Sequence, residues 1–184
     1  MASRRAIFLD RDGVLNEPVV RNGVPHPPGT LDDLVVAPET KAACRAFRRA
    51  GWLLIMVTNQ PDLARGTATR ETVDSINQEI RRRLALDDVF MCPHDDVDGC
   101  GCRKPKAGLL LAAAACWGVE LSDSVMVGDR WRDVEAGRRA GCATVLVWRQ
   151  YDERREMAAD RIVRTLDEAA AWILHPTSPS PKEV

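Results

Sequence analysis

The run Ala6-Ile7-Phe8-Leu9, closed by Asp10-Arg11-Asp12-Gly13, holds apolar residues without a polar interruption and then breaks abruptly into charge. Continuous rather than alternating apolar character suits a strand buried on both faces, the kind found in parallel sheets covered by helices. Leu53-Leu54-Ile55-Met56-Val57, closed by Thr58-Asn59-Gln60-Pro61, repeats the pattern, and so does Ser124-Val125-Met126-Val127, closed by Gly128-Asp129. Thr144-Val145-Leu146-Val147 is a further strand, residues 88–91 a weaker one, and Ile162-Val163 a small edge strand.

Helical segments fill the gaps. Pro38 suits the first helical position, and Gly51 stops that helix after about residue 50. Val73, Ile76, Ile80 and Leu84 recur at helical spacing and predict an amphipathic helix over residues 69–86. Alanine- and leucine-rich residues 108–117, ended by Gly118, then 132–140, ended by Gly141, and finally 166–174 complete the set. Residues 16–37 hold four prolines and read as a long loop. The tail, residues 175–184, carries three prolines and reads as disordered, leaving 1–174 as one folded domain. Alternating strands and helices predict an α/β fold: a parallel sheet with helices on both faces. Ligands of such sheets bind beyond the carboxyl ends of the strands, near the switch in strand order.

Composition narrows the partners. The 184 residues are 45% apolar and 29% charged, enough for one core. A net charge of −1 gives no global attraction for nucleic acid or an anionic membrane, so a bound anion must be held by a few placed groups. No apolar run reaches the ~18 residues that span a bilayer, and Met-Ala-Ser-Arg-Arg does not begin a signal peptide. A cytoplasmic location is expected, with reduced thiols and no disulfide framework for the six cysteines. Nothing demands more than a monomer.

Asp10 and Asp12 lie two apart beyond the first strand, and Asp129 and Asp133 follow a later strand at the same edge. Carboxylates gathered in one place repel one another unless a cation neutralises them, and Mg²⁺ suits oxygen ligands beside phosphate. Taken alone, Asp-x-Asp is more readily a solvated turn, and Asp129 with Asp133 equally a helix cap and first-turn acid. The accompaniment shifts the balance. Thr58-Asn59 offers a hydroxyl, an amide and backbone N–H groups to a phosphate, and Arg103-Lys104-Pro105 brings positive charge just before a helix.

Cys92-Pro93-His94, five residues, then Cys100-Gly101-Cys102 supply four ligands within loop 92–102. That is a full tetrahedral Zn²⁺ set with no open position, which favours a structural role. Scattered buried thiols remain the reading for Cys44, Cys116 and Cys142. It fits the loop badly, because Asp95, Asp96, Asp98 and Gly99 make that segment polar and exposed. Arg103 and Lys104 follow the last ligand without a gap, so zinc would stiffen a loop lacking its own core and hold Lys104 toward a phosphate.

The order Asp10-Arg11-Asp12-Gly13-Val14-Leu15-Asn16, Thr58-Asn59-Gln60, Arg103-Lys104-Pro105 and Gly128-Asp129-Arg130-Trp131-Arg132-Asp133 resembles the haloacid dehalogenase superfamily of phosphatases over residues 6–148. The resemblance implies a Rossmann-like, capless core and Mg²⁺-dependent hydrolysis of a phosphomonoester through an aspartyl phosphate. It implies Asp10 as nucleophile, Asp12 as general acid and then base, and Thr58 and Lys104 steadying the phosphoryl group. Mg²⁺ would be held by the Asp10 carboxylate, the Asp12 backbone carbonyl and Asp129, with Asp133 supporting.

The zinc loop ahead of Arg-Lys-Pro resembles two branches of that superfamily, the heptose-bisphosphate phosphatases and the histidinol phosphatases. The His94–Cys100 gap resembles both. Thr58-Asn59-Gln60-Pro61-Asp62-Leu63-Ala64-Arg65-Gly66 resembles the heptose branch, which we favour, and the expected partner is a small phosphorylated sugar. A bisphosphate needs a second anion site, for which Arg103 leads, with Arg65, Arg130 and Arg21 behind it and Asn59 and Gln60 as further contacts. Histidinol phosphate would call instead for acids at the entrance, where Glu17, Asp32 and Asp33 are available. A non-catalytic zinc-stabilised module of the same fold would lack Asp10, Asp12, Lys104 or Asp129; all four are present.

Overall fold

In the computed structural model the described residues are 4–21, 24–150 and 158–175; the expected disordered tail, past His175, lies outside them. The elements run β1 (Ala6–Leu9), β2 (Val19–Arg21), β3 (Val24–His26), α1 (Pro38–Arg49), β4 (Leu53–Asn59), α2 (Arg70–Leu84) and β5 (Asp88–Cys92). Then come α3 (Gly108–Trp117), β6 (Val125–Gly128), α4 (Trp131–Ala140), β7 (Ala143–Val147), β8 (Arg161–Val163) and α5 (Leu166–Leu174). Single 3-10 turns occupy Asp96–Asp98 and Leu121–Asp123.

Continuous apolar strands supply two cores at once. Ile7 and Leu9 of β1 join Leu54, Met56, Val125 and Val127 in one cluster, against α1, α2 and α5. Ala6 and Phe8 join Ile55, Val57 and Met126 in the other, against α3 and α4. This is the period of two expected of a strand, with both faces buried. Six strands pair in the order β5-β4-β1-β6-β7-β8, all parallel. The chain leaves β1 for β4 and β5, then returns to β6 on the other side of β1, so the switch in strand order falls at β1. Leu9 stands level with Met56 and Val127, which brings the residues after β1, β4 and β6 to one edge.

Helix ends follow local chemistry. Thr69 caps α2, its side chain accepting from the Thr72 N–H at 3.2 Å, and the helix stops two residues short of the expected limit with Ala85 in the left-handed region. Pro38 opens α1 as expected. The long loop expected over residues 16–37 is in part a correction, since β2 and β3 pair there as an antiparallel ribbon with Val19 opposite His26. Asn22-Gly23 is a two-residue hairpin signal in the sequence that the reading of a long loop did not use. Pro25 is tolerated because a two-stranded ribbon has only edges. Among the described residues, that ribbon is the sole regular structure between β1 and α1, and no separate cap domain stands over the sheet edge. Among the described residues, no helix is long and apolar enough to cross a membrane.

Candidate active site

Asp10 follows β1 directly, and its N–H bonds the Val127 carbonyl at 2.9 Å, extending the sheet by one residue. Its Oδ1 accepts from Lys104 Nζ at 2.7 Å. The same ammonium contacts Asp133 Oδ1 at 2.6 Å and donates to the Val57 carbonyl at 2.9 Å, so all three of its N–H groups are used. Lys104 is 2% exposed, a buried cation that survives because two carboxylates and a carbonyl surround it. Burial pulls its pKa down, but Asp10 and Asp133 outweigh that and leave it raised, so it stays protonated. Burial pushes Asp10 up to about 6, with Asp133 adding to the rise and Lys104 opposing it.

Asp133 joins the group from the first turn of α4, where its Oδ2 accepts from the Arg130 N–H at 3.0 Å. Gly128 makes this possible: a Cβ there would overlap the Asp133 side chain. Carboxylate oxygens of Asp10, Asp129 and Asp133 all lie within 4.8 Å of one another. Three buried carboxylates against one ammonium leave excess negative charge, and a divalent oxygen-loving cation relieves it; the residues fit Mg²⁺.

Asp12 sits at the rim of this group. Its oxygens accept from Arg11 Nε at 3.2 and 3.1 Å, from Asn16 Nδ2 at 3.1 Å and from Gln60 Nε2 at 3.1 Å. Gln60 also donates to Thr58 Oγ1 at 2.8 Å. Asn59, expected to touch substrate, pairs with the Lys104 backbone: Nδ2 donates to its carbonyl at 3.0 Å and Oδ1 accepts from its N–H at 3.1 Å. The Asn59 amide therefore ties the end of β4 to the residue that bridges the carboxylates.

The thiols converge as well. Cys102 Sγ lies 3.1 Å from Cys92 Sγ, 3.5 Å from Cys100 Sγ and 3.4 Å from His94 Nδ1. Cys92 Sγ stands 3.6 Å from both His94 Nδ1 and Cys100 Sγ. Zn–S bonds of ~2.3 Å in a tetrahedron separate sulfurs by roughly 3.8 Å, so a small expansion of this cluster admits the ion. The residues fit Zn²⁺. The loop is not wholly without a core, since Cys92 belongs to the cluster beside α3 and α4, and Cys100 and Cys102 pack against it. Its tip does project, with Val97 92% exposed. Outside the loop, Cys44 and Cys142 are buried and pushed up to about 12 by burial, whereas Cys116 is exposed rather than buried as expected.

Asp10, Asp12, Asp129 and Asp133 line a cleft of about 370 Å³ together with Asn59, Gln60, Lys104, Arg65, Arg103 and Arg130. His26 from β3 is exposed and also lines the cleft. Arg65 makes a two-pronged bond to Asp95 at 2.7 and 2.9 Å, and Arg103 reaches Asp96 at 2.8 Å and the His94 carbonyl at 3.1 Å. Both arginines are thus tied to the loop that carries the cysteine cluster.

A family profile for haloacid dehalogenase-like hydrolases matches residues 29–141, more than half of the chain. The chain belongs to that family. This hydrolase is an enzyme, a phosphatase of the family. It is 37% identical over 148 residues, 78% of this chain and 80% of the relative, to a D-glycero-beta-D-manno-heptose-1,7-bisphosphate 7-phosphatase of Bordetella bronchiseptica. A D-glycero-D-manno-heptose-1,7-bisphosphate 7-phosphatase of Thermosynechococcus vestitus is 34% identical, with 92% of this chain and 95% of the relative aligned. Among solved structures, the B. bronchiseptica D,D-heptose 1,7-bisphosphate phosphatase complexed with magnesium and phosphate superposes with a TM-score of 0.81, at 32% identity, covering 95% of this chain and 99% of that one.

Several residues of the hydrolase's site were missed by sequence reasoning. Arg132 reaches Asp96 at 2.9 Å beside Arg103, and Arg149 donates to the Gly13 carbonyl at 3.0 and 2.8 Å across 136 positions of chain. Arg132 lay in the last quoted motif without a role, and no local pattern marks Arg149. Asn77 donates to Met91 Sδ at 3.6 Å and accepts from Arg11 Nη1 at 2.9 Å. It did leave a signal: it is a polar residue on the apolar face of α2, four after Val73.

Proposed function

We propose that this phosphatase removes the 7-phosphate of D-glycero-D-manno-heptose 1,7-bisphosphate through an aspartyl phosphate on Asp10, in cytoplasmic synthesis of a nucleotide-activated heptose. The observation that carries the reading is the buried Lys104 ammonium joined to both Asp10 and Asp133, in a cleft that Arg65, Arg103 and Arg130 also line.

An Asp10 carboxylate oxygen attacks phosphorus, and the bond from phosphorus to the sugar oxygen breaks. Asp12 gives its proton to that leaving oxygen. In the second half, Asp12 as carboxylate takes a proton from water, which attacks the aspartyl phosphate and releases inorganic phosphate with Asp10 regenerated. Lys104 holds Asp10 in place and faces the transferring oxygens with positive charge; Thr58 adds a hydroxyl. Mg²⁺, which Asp10, Asp129 and the Asp12 backbone carbonyl would hold with Asp133 in support, supplies charge neutralisation at those oxygens. Zn²⁺ on Cys92, His94, Cys100 and Cys102 would be structural, steadying the loop on which Arg103 and Lys104 sit.

The substrate's second phosphate selects for guanidinium groups, which grip phosphate in a two-pronged way, and Arg103 and Arg65 line the cleft. The names of the relatives agree with a heptose bisphosphate. Histidinol phosphate finds less support: Asp33 is turned to Thr30 at 2.8 Å and Glu17 faces Arg149 at 3.7 Å. The test is Mg²⁺-dependent phosphate release from both anomers of the heptose 1,7-bisphosphate, from histidinol phosphate and from a 3′-phosphorylated oligonucleotide. The heptose esters should turn over fastest, with kcat/KM at least about tenfold above the others, a difference of ~1.4 kcal/mol. Preference for histidinol phosphate would overturn the substrate, and no release from any ester would overturn the activity.

A further inference from the structure

Arg11 stands between the two aspartates at the head of the site, yet its side chain is only 1% exposed. Burying a guanidinium is costly unless its N–H groups are matched, and here they are matched by side chains from three segments of the chain. Nε and Nη2 meet the Asp12 carboxylate, with Nη2 at 3.0 Å from Oδ2. Nη2 also donates to Gln60 Oε1 at 3.0 Å, just past β4, and Nη1 to Asn77 Oδ1 at 2.9 Å, in the middle of α2.

Each contact restricts Asp12. The guanidinium lies across both of its oxygens, while Asn16 holds Oδ1 and Gln60 holds Oδ2. Gln60 can donate to Asp12 and Thr58 only with its oxygen turned to Arg11, so the guanidinium sets the amide's orientation too. Asn77 occupies a core position of α2 among Val73, Ile76 and Ile80, where an apolar residue would pack as well. Its polar side chain serves to anchor Nη1. Packing alone gives no reason for a charged residue here, whereas a need to fix the rotamer of Asp12 does.

We propose that Arg11 is a positioning residue for the general acid: anchored on Asn77 and Gln60, it holds the Asp12 carboxylate where the leaving oxygen of the substrate departs. The inference rests on Asp12 as general acid, and its test separates the two claims. An alkyl phosphate needs a proton on its leaving oxygen, whereas 4-nitrophenyl phosphate has a leaving group stable as an anion. A residue acting through Asp12 affects the first more than the second; a residue that merely stabilises the fold affects both equally.

The experiment measures kcat/KM, which reports the step that expels the leaving group and not the later hydrolysis common to both esters, for a hexose or heptose phosphate and for 4-nitrophenyl phosphate with Asp12→Asn, Arg11→Met, Arg11→Lys and Asn77→Leu, each checked for native circular dichroism. Asp12→Asn should lose ~10²–10⁴-fold on the alkyl ester and much less on the aryl ester. Arg11→Met should lose about 10²-fold on the alkyl ester and under about tenfold on the aryl ester, with Arg11→Lys in between. Should Arg11→Met fail to fold, Asn77→Leu, which removes only the anchor, should show the same bias at smaller size. Equal losses on both esters in the folded Arg11 or Asn77 variants, with the bias present in Asp12→Asn, would overturn the role of Arg11 alone. Absence of the bias in Asp12→Asn would overturn the general acid and the inference together.

Discussion

Asp10 and Asp129 stand at the ends of two buried strands, with Asp133 one turn into a helix, whereas Cys92 ends an edge strand and His94, Cys100 and Cys102 lie between it and the helix that follows. The carboxylates are set by β1, β6 and α4, elements whose apolar residues are almost wholly buried on both faces of the sheet. Their position follows from sheet register and would hold whether or not a cation is bound; the cost is electrostatic, since like charges are forced together. The thiol loop has the opposite balance. Its candidate ligands are soft and lie close together, but little apolar burial supports its projecting tip, and a metal bound by them would supply a cross-link there. One centre follows from the fold, and the other would help to hold its own segment in place once a metal is bound.

The sharpest way to break this contrast is Asp10→Asn. The sheet should remain intact by circular dichroism, and phosphate release should fall below detection, since no other carboxylate follows β1 in the position for attack. Undiminished turnover would remove the basis of the mechanism. Zinc removal comes next. Chelation or Cys102→Ser should abolish bound zinc and cut activity with Mg²⁺ restored by up to ~10²-fold, the scale of a ~1 Å misplacement of a catalytic group such as Lys104. Far-ultraviolet circular dichroism should change little. Full activity and an unchanged Tm after stripping would show that the loop does not need its ion.

The smallest effect concerns pH. The Asp10 pKa rises from 3.8 to about 6 on folding, chiefly through burial and then through Asp133. Over that interval the folded state keeps a proton that the unfolded chain releases, so this contribution to stability is present below pH ~4 and lost as pH rises through about 6. In Mg²⁺-free buffer, Asp10→Asn should therefore gain stability relative to the parent between pH 4 and pH 7, by on the order of 2 kcal/mol. Denaturant melts at the two pH values check it, and an equal difference at both would contradict the repulsion ascribed to the carboxylate group.

Much was legible because it is local. The strands at residues 6–9, 53–57 and 144–147 carry their burial in continuous apolar runs, and the helix ends at Gly118 and Gly141 were marked by the residues themselves. The three cysteines and the histidine share one short loop, so their convergence needed only a turn. The ribbon of β2 and β3 was obscured because proline usually argues against a strand, a rule that weakens at a free edge. Arg65 and Arg103 were singled out as anion contacts, but their pairing with Asp95 and Asp96 carries no pattern in the sequence.

By itself, then, the chain's order of residues determined the α/β alternation, the residues that end each buried strand and the ligand set of the loop, because periodicity and short spacing are properties of neighbours. Tertiary structure alone decided that Lys104 would meet an aspartate 94 positions away, and that Arg11 would find Gln60 and Asn77 at separations of 49 and 66. Those contacts depend on which strands lie side by side and on how far each helix reaches over the sheet. Such distances are set by the packing of the whole core, and no window of sequence contains them.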